Sequence, residues 1–187
     1  GQDMQLPMLQ IMNLHVLKRD EDVIGEDTRV SGGKVGNPQR GDGFREGIVG
    51  NHDVQIIASQ NADWPREKAS PVSQAMFQAN PNVDVVYAHN DPMAEAAVIS
   101  AQNAGLDLSK IAFVGIDALP TPDGGIRSVM DGRITVTYVY PTGGAEAIDW
   151  ARRILEGGET PPKTVVLETE QVDSSNAADL YTKYGGK

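Results

Sequence analysis

The chain has 187 residues, 16 Lys+Arg against 26 Asp+Glu for a formal net charge of −10 at pH 7, and no cysteine. The acidic balance, with no basic run, excludes a generic surface for nucleic acid or anionic membrane, since both need clustered Lys and Arg. The missing thiols exclude disulfides, thiolate zinc sites and cysteine nucleophiles. The longest nearly apolar stretches, Val83 to Ala88 and Ile111 to Ile116, are far shorter than the roughly 20 residues of a membrane helix, so a soluble domain with its own core is expected. Gly1 to Gln10 lacks the basic and apolar regions of a secretory signal, and a mature exported protein would look the same.

Residues 1–37 show no βαβ rhythm. An apolar patch, Leu6 to Leu17, precedes the charged run Lys18 to Asp22 and the glycine-rich Ser31 to Gly36; the segment is read as holding one strand and no assigned function. From Val54 onward the pattern changes to short, β-branched apolar runs: Val54 to Ser59, Val83 to His89, Ile111 to Asp117 and Val136 to Tyr140. Their starts at 54, 83, 111 and 136 lie 29, 28 and 25 residues apart, room for a strand, a helix and two loops per unit. Runs apolar throughout suit strands covered on both faces. The expected fold is therefore α/β, a doubly wound parallel sheet with helices on both faces and right-handed crossovers.

The helical stretches carry their own punctuation. Pro71 falls inside the stripe Ala69, Val72, Met76, Ala79, which predicts a kink or a late start. Asn90 or Asp91 caps a helix with Pro92 in its first turn and Gly105 just past its end. A short helix is expected from Ile126 to Met130. Thr142 is read as the cap of a helix to Glu156, with Ile148, Ala151 and Leu155 on one side, followed by a strand-like run, Thr164 to Thr169. A last helix is expected over Ala177 to Tyr184, capped by Ser174 or Ser175.

In an open parallel sheet, ligands bind beyond the carboxyl ends of the strands. That edge is predicted to gather Ser59-Gln60 with Asp63 and Trp64, then His89-Asn90-Asp91, Asp117 and Tyr140. A carboxylate accepts from two neighbouring hydroxyls, an amide both donates and accepts, and an aromatic face covers the apolar side of a sugar ring. These groups suit a carbohydrate or related polyol. The three histidines, His15, His52 and His89, are far apart, and no metal site, cofactor or catalytic residue is expected.

Four motifs occur in order: Arg40-Gly41-Asp42-Gly43-Phe44, Ser59 to Trp64 (Ser-Gln-Asn-Ala-Asp-Trp), Ala88-His89-Asn90-Asp91-Pro92-Met93-Ala94, and Val114-Gly115-Ile116-Asp117. Together they resemble the second lobe of type I periplasmic binding proteins for sugars, the ribose, galactofuranose and autoinducer-2 receptor group of ABC transporters, from about Arg40 to Tyr184. The resemblance implies a ligand-binding set of Arg40, Trp64, Asn90, Asp117 and Tyr140, the last where relatives often carry glutamine. It implies non-catalytic binding of a monosaccharide or polyol, hinge closure on it, recognition by a transporter permease or membrane sensor, and a periplasmic or other extracytoplasmic location. On this reading residues 1–37 are an unassigned segment, and 38–187 form the carboxy-terminal lobe with a crossover helix and a final strand. Nothing in the chain corresponds to the family's first lobe. The stripe of Ile148, Ala151 and Leu155 then needs another cover, supplied by the amino-terminal 37 residues or by a second copy in a homodimer.

Plainer roles stand beside each of these. Asp117 could cap a turn, Asn90 and Asp91 serve as helix caps, Trp64 could pack under a loop, and Arg40 could pair with Asp42 or Glu46. Three other functions compete. An effector domain of a sugar-responsive regulator lacks its helix-turn-helix here; an enzyme using Asp91, Asp117 or Asp123 lacks a nucleophile elbow or phosphate loop; a truncated fragment would have the fold without a ligand.

Overall fold

The computed structural model describes residues 13–19, 38–48 and 54–187. The parts of the amino-terminal segment before Asn13 and from Asp20 to Asn37, including the glycine-rich stretch, lie outside them. In chain order the elements are β1 (Asn13–Arg19), α1 (Pro38–Ile48), β2 (Val54–Asn61), α2 (Arg66–Ala79), β3 (Val85–Ala88), α3 (Asp91–Asn103), β4 (Ala112–Val114), α4 (Gly125–Met130), β5 (Thr137–Tyr138), α5 (Gly144–Gly157), β6 (Gln171–Val172) and α6 (Ala177–Lys183). The main sheet has the order β2-β1-β3-β4. Single parallel bridges, Val114 to Val136 and Asp117 to Val139, carry the sheet on toward β5, which also pairs antiparallel with β6.

β3 and β4 are parallel, and β1 runs antiparallel to both β2 and β3. β2, β3 and β4 therefore point the same way and end on one edge, as expected, while β1 departs from an all-parallel sheet. The period of an apolar run reports which faces are covered and is silent on direction, so the reversal was not readable. The register puts Ala58 of β2 and Val86 of β3 opposite the same β1 position, Val16. Ala58 and Val86 thus share a face, and Tyr87 takes the other. Ala58, Val72 and Met76 line one groove of about 400 Å³, which places α2 on the first face. Phe44 of α1 stacks on Tyr87 with ring centroids 4.3 Å apart, which places α1 on the opposite one. Helices cover both faces.

The core lies between the sheet, α2, α3, α4 and α6 and includes Phe77, Val86, Met93, Phe113, Ile126, Ile134 and Val172. Ala94, Ala96, Ala97 and Ala101 of α3 are fully buried; their small side chains admit close approach of neighbouring elements. α3 starts as predicted, with Asn90 as cap, a proline in its first turn, and Gly105 in the left-handed region just beyond its end. α2 begins at Arg66 and continues through Pro71, not late. Pro71 is exposed, as is Glu67, whose carbonyl loses its i+4 donor and can be met by water.

Three local expectations differ. α5 is capped by left-handed Gly143, not Thr142. Residues 164–169 form no ladder: β6 is only Gln171–Val172, and Val166 is 86% exposed, since no neighbouring strand among the described residues offers its backbone. α6 starts after Asn176, because Asp173 takes the Ser175 N–H and hydroxyl in a turn of its own. No residue of α5 is buried; Ile148 is 73% and Leu155 85% exposed. The predicted stripe exists, and among the described residues nothing covers it, β1 being built into the main sheet instead. No helix among the described residues is long and apolar enough to cross a membrane.

Candidate ligand-binding site

The common direction of β2, β3 and β4 brings residues 59–64, 89–91 and 117 to one edge. The bridge from Asp117 to Val139 sets Tyr140 next to Asp117. α1 adds Arg40 from the other side. Its three glycines, Gly41, Gly43 and Gly47, make α1 a weak helix by propensity; the Phe44–Tyr87 stack and a bond from Tyr87 Oη to the Arg40 carbonyl, 3.3 Å, hold it in place.

Arg40 is the centre of the cluster. Its Nη1 donates to the His89 carbonyl, and Nη2 lies 3.3 Å from Asp117 Oδ1. The guanidinium carbon sits 4.6 Å from the Tyr140 ring centroid and 6.0 Å from that of Trp64, within reach of cation–π attraction. Four of the five predicted residues are therefore in mutual contact through one side chain. Asn90 adjoins the group but is committed locally: Oδ1 accepts from Met93 N at 2.9 Å, and Nδ2 donates to the Trp64 carbonyl at 3.2 Å. It fixes the tryptophan loop while capping α3, leaving one N–H and one lone pair.

Backbone strain concentrates here. Among the described residues, positive φ occurs outside glycine at Asp63, Trp64, Asp117 and Ala118. Each such residue costs on the order of 1–3 kcal/mol and persists only when its surroundings over-determine it. The Trp64 loop is tied by Asp63 N to Asn61 Oδ1, 3.0 Å, and by Lys68 to Asp63, 2.7 Å. Just beyond it Arg66 pairs with Glu95 of α3, which is 6% exposed and also accepts from Ser128 and lies near Arg133. The Asp117–Ala118 turn is held from behind by Asp91. Its Oδ2 accepts from Ala118 N at 2.8 Å and its Oδ1 from Thr137 Oγ1 at 2.6 Å.

Burial governs the titrating groups. It raises the proton affinity of Asp117, an effect the neighbouring Arg40 opposes, and pushes Asp91 up to about 7 against its two hydrogen bonds. Burial, with Arg40 and Arg45 nearby, lowers His89 to about 4, so its ring is neutral at pH 7. The open side of the site presents the Tyr140 ring, 53% exposed, and part of the Asp117 carboxylate, with the Arg40 side chain behind them at 10% exposure. Such a surface can bind neighbouring hydroxyls and stack on a ring. Sequence reading missed Asp91 as a support of the turn, together with Tyr87, Arg66 and Glu95. No spacing signals them, because their partners come from distant segments.

Known proteins of similar sequence and fold point to one family. Residues 31–159 match the family described as Periplasmic binding protein domain. The chain is 35% identical to the ribose import binding protein of Escherichia coli over 127 residues, 67% of this chain and 41% of that protein. It is 34% identical to the D-allose-binding periplasmic protein of the same organism, over 80% of this chain and 49% of the relative. Among solved structures, the fructose-binding periplasmic domain of a hybrid two-component system matches with a TM-score of 0.72 and 36% identity, over 78% of this chain and 48% of that one. The chain spans about half the length of the relatives it matches. With the match covering more than half of its residues, the chain belongs to the periplasmic binding protein family, a family of sugar-binding rather than catalytic proteins.

Proposed function

We propose that this chain forms one wall of a sugar-binding site and acts, as the carboxy-terminal lobe, in the substrate-binding component of an ABC transporter working outside the cytoplasm. What carries the reading is the convergence of Asp117, Trp64 and Tyr140 on Arg40 at the carboxyl edge of the sheet. Asp117 accepts from adjacent sugar hydroxyls, Arg40 donates to ring or hydroxyl oxygens, and Trp64 and Tyr140 cover the apolar face. Asn90 adds its remaining N–H and holds the tryptophan loop. Relatives named for ribose, D-allose and galactofuranose point to a monosaccharide, and a matching structure holds myo-inositol, a cyclic polyol. The exposed stripe of α5 is where the opposing half of the cleft, or a second copy of the chain, attaches.

The test is thermal unfolding at fixed low protein concentration with D-ribose, D-allose, D-fructose, a furanose panel and myo-inositol. A ligand bound only by the native state stabilises it by about 2.7 kcal/mol at a hundredfold excess over Kd. A shift with one compound, lost in Asp117→Ala and Trp64→Ala, is expected; no shift with any of them at tens of millimolar sinks the reading. A sensor domain is the second reading, favoured by the likeness to the periplasmic domain of a two-component system. It shares the site and differs in the membrane partner that recognises the closed form.

A further inference from the structure

Asp91 stands behind the ligand edge and is 4% exposed. Three segments converge on its carboxyl: residues 115–118 after β4, β5 and the start of α4. Asp91 itself begins α3, and its own N–H donates to the Ile116 carbonyl at 2.9 Å. Oδ2 takes the Ala118 N–H of the turn after β4, and Oδ1 takes the Thr137 hydroxyl of β5, the strand that leads to Tyr140. Two glycines make room for it: a Cβ on Gly115 would fall 2.1 Å from Oδ1, and one on Gly125 1.9 Å from Oδ2. An acid placed in a first turn only to favour the helix dipole needs none of this.

The geometry points to Asp91 as a positioning residue, its carboxyl holding the left-handed Asp117–Ala118 turn in the shape that presents the Asp117 carboxylate to Arg40 and to ligand. Asp117 and Ala118 have φ of 117° and 48°, two consecutive strained residues without glycine's freedom. The Ala118 N–H is the donor that such a turn directs inward, and Asp91 is the acceptor that receives it. The charged groups facing Asp91 are Asp117 from the turn and Glu95 from one helical turn along α3; both add to the burial that lifts its proton affinity to about 7. A protonated carboxyl, or an asparagine amide, keeps both contacts once the Thr137 hydroxyl rotates to accept. The role therefore requires a planar polar group of this length, and alanine cannot supply it.

Amide hydrogen exchange of the ligand-free chain tests this apart from the sugar reading, on which only an affinity arm depends. In the unaltered protein the Ala118 amide is expected to be protected, and its proton resonance to titrate with a midpoint near 7. In Asp91→Asn the protection stays and that titration disappears. In Asp91→Ala the Ala118 amide exchanges about 10- to 100-fold faster, while amides of α6 are unchanged. Should D91A not fold, Thr137→Val, which removes one of the two anchors, is expected to show the same change in smaller measure. If a sugar binds, D91A weakens it by a similar factor and D91N restores it. Unchanged Ala118 protection in both D91A and T137V, or full sugar affinity in D91A, overturns the inference. If no sugar binds at all, the function proposed above fails and the exchange and titration results still decide this one.

Discussion

Two buried groups at the site should titrate against each other. Asp91 is raised from an ordinary 3.8 to about 7, and His89 is lowered from 6.5 to about 4. Between pH 4 and 6.5 the folded chain holds the Asp91 proton and the unfolded chain does not, so this group's contribution, complete below about 4, is lost as pH rises toward 7. His89 acts the other way. The unfolded chain protonates it and the folded chain does not, so its contribution, complete above about 6.5, is lost as pH falls toward 4. One proton is worth about 1.4 kcal/mol per pH unit, and with one on each side the two slopes cancel. The window runs from about 4 to 6.5 because those are the values between which both groups differ between folded and unfolded chains; the lowered carboxylates of Asp107, Glu170 and Asp173 are common to all three proteins and drop out of the differences. The experiment is urea unfolding at pH 4.5 and 6.0 of the unaltered chain, Asp91→Asn and His89→Phe, with slopes compared rather than absolute stabilities, so that packing losses drop out. Relative to the unaltered chain, D91N should gain about 2 kcal/mol over that interval and H89F should lose about 2 kcal/mol. Asp117, also raised by burial, is present in all three and leaves the differences unaffected. Three parallel lines would refute the reasoning.

Further outcomes follow from the packing. Gly125→Ala should lower the thermal midpoint sharply, since its Cβ would meet Asp91 Oδ2 at 1.9 Å; overpacking of this kind costs about 1–3 kcal/mol or more, and pairing it with Asp91→Ala should recover part of the loss in a double-mutant cycle. Glu95→Ala should cost about 1–3 kcal/mol in chemical unfolding, below the cost of a fully buried pair, because Arg66 and Arg133 are half-exposed and can turn to water. Replacing Ile148 and Leu155 of α5 by glutamate should change unfolding stability by less than about 1 kcal/mol, both facing solvent already. A loss of several kcal/mol would mean that residues beyond those described cover the helix.

Much of the site was legible because its residues lie at strand ends. A fully apolar run such as Val83 to His89 states where a buried strand stops, and in a sheet of common direction the next polar residues must gather on one edge. Trp64, Asn90, Asp117 and Tyr140 were found on that ground, and Arg40 through its motif. Helix punctuation was equally local: Asn90 caps α3 by a bond three residues away, a contact that chain spacing alone allows. Where a competing turn was stronger, as with Asp173 over Ser174 and Ser175 before α6, the same local reading failed.

The amino-acid sequence by itself determined the repeating strand–helix unit, the covered faces, the edge on which the strands end and the types of group on it, because burial periodicity and capping are properties of neighbours in the chain. Only the tertiary structure decided that β1 enters antiparallel between β2 and β3, that Arg40 from α1 reaches across to Asp117, Trp64 and Tyr140, and that Asp91 clasps the turn of Asp117 from behind. It also decided that the apolar stripe of α5 stands open among the described residues. Each of these joins segments dozens of residues apart, and a contact across such a distance depends on strand direction and register, which no local pattern of hydrophobicity encodes.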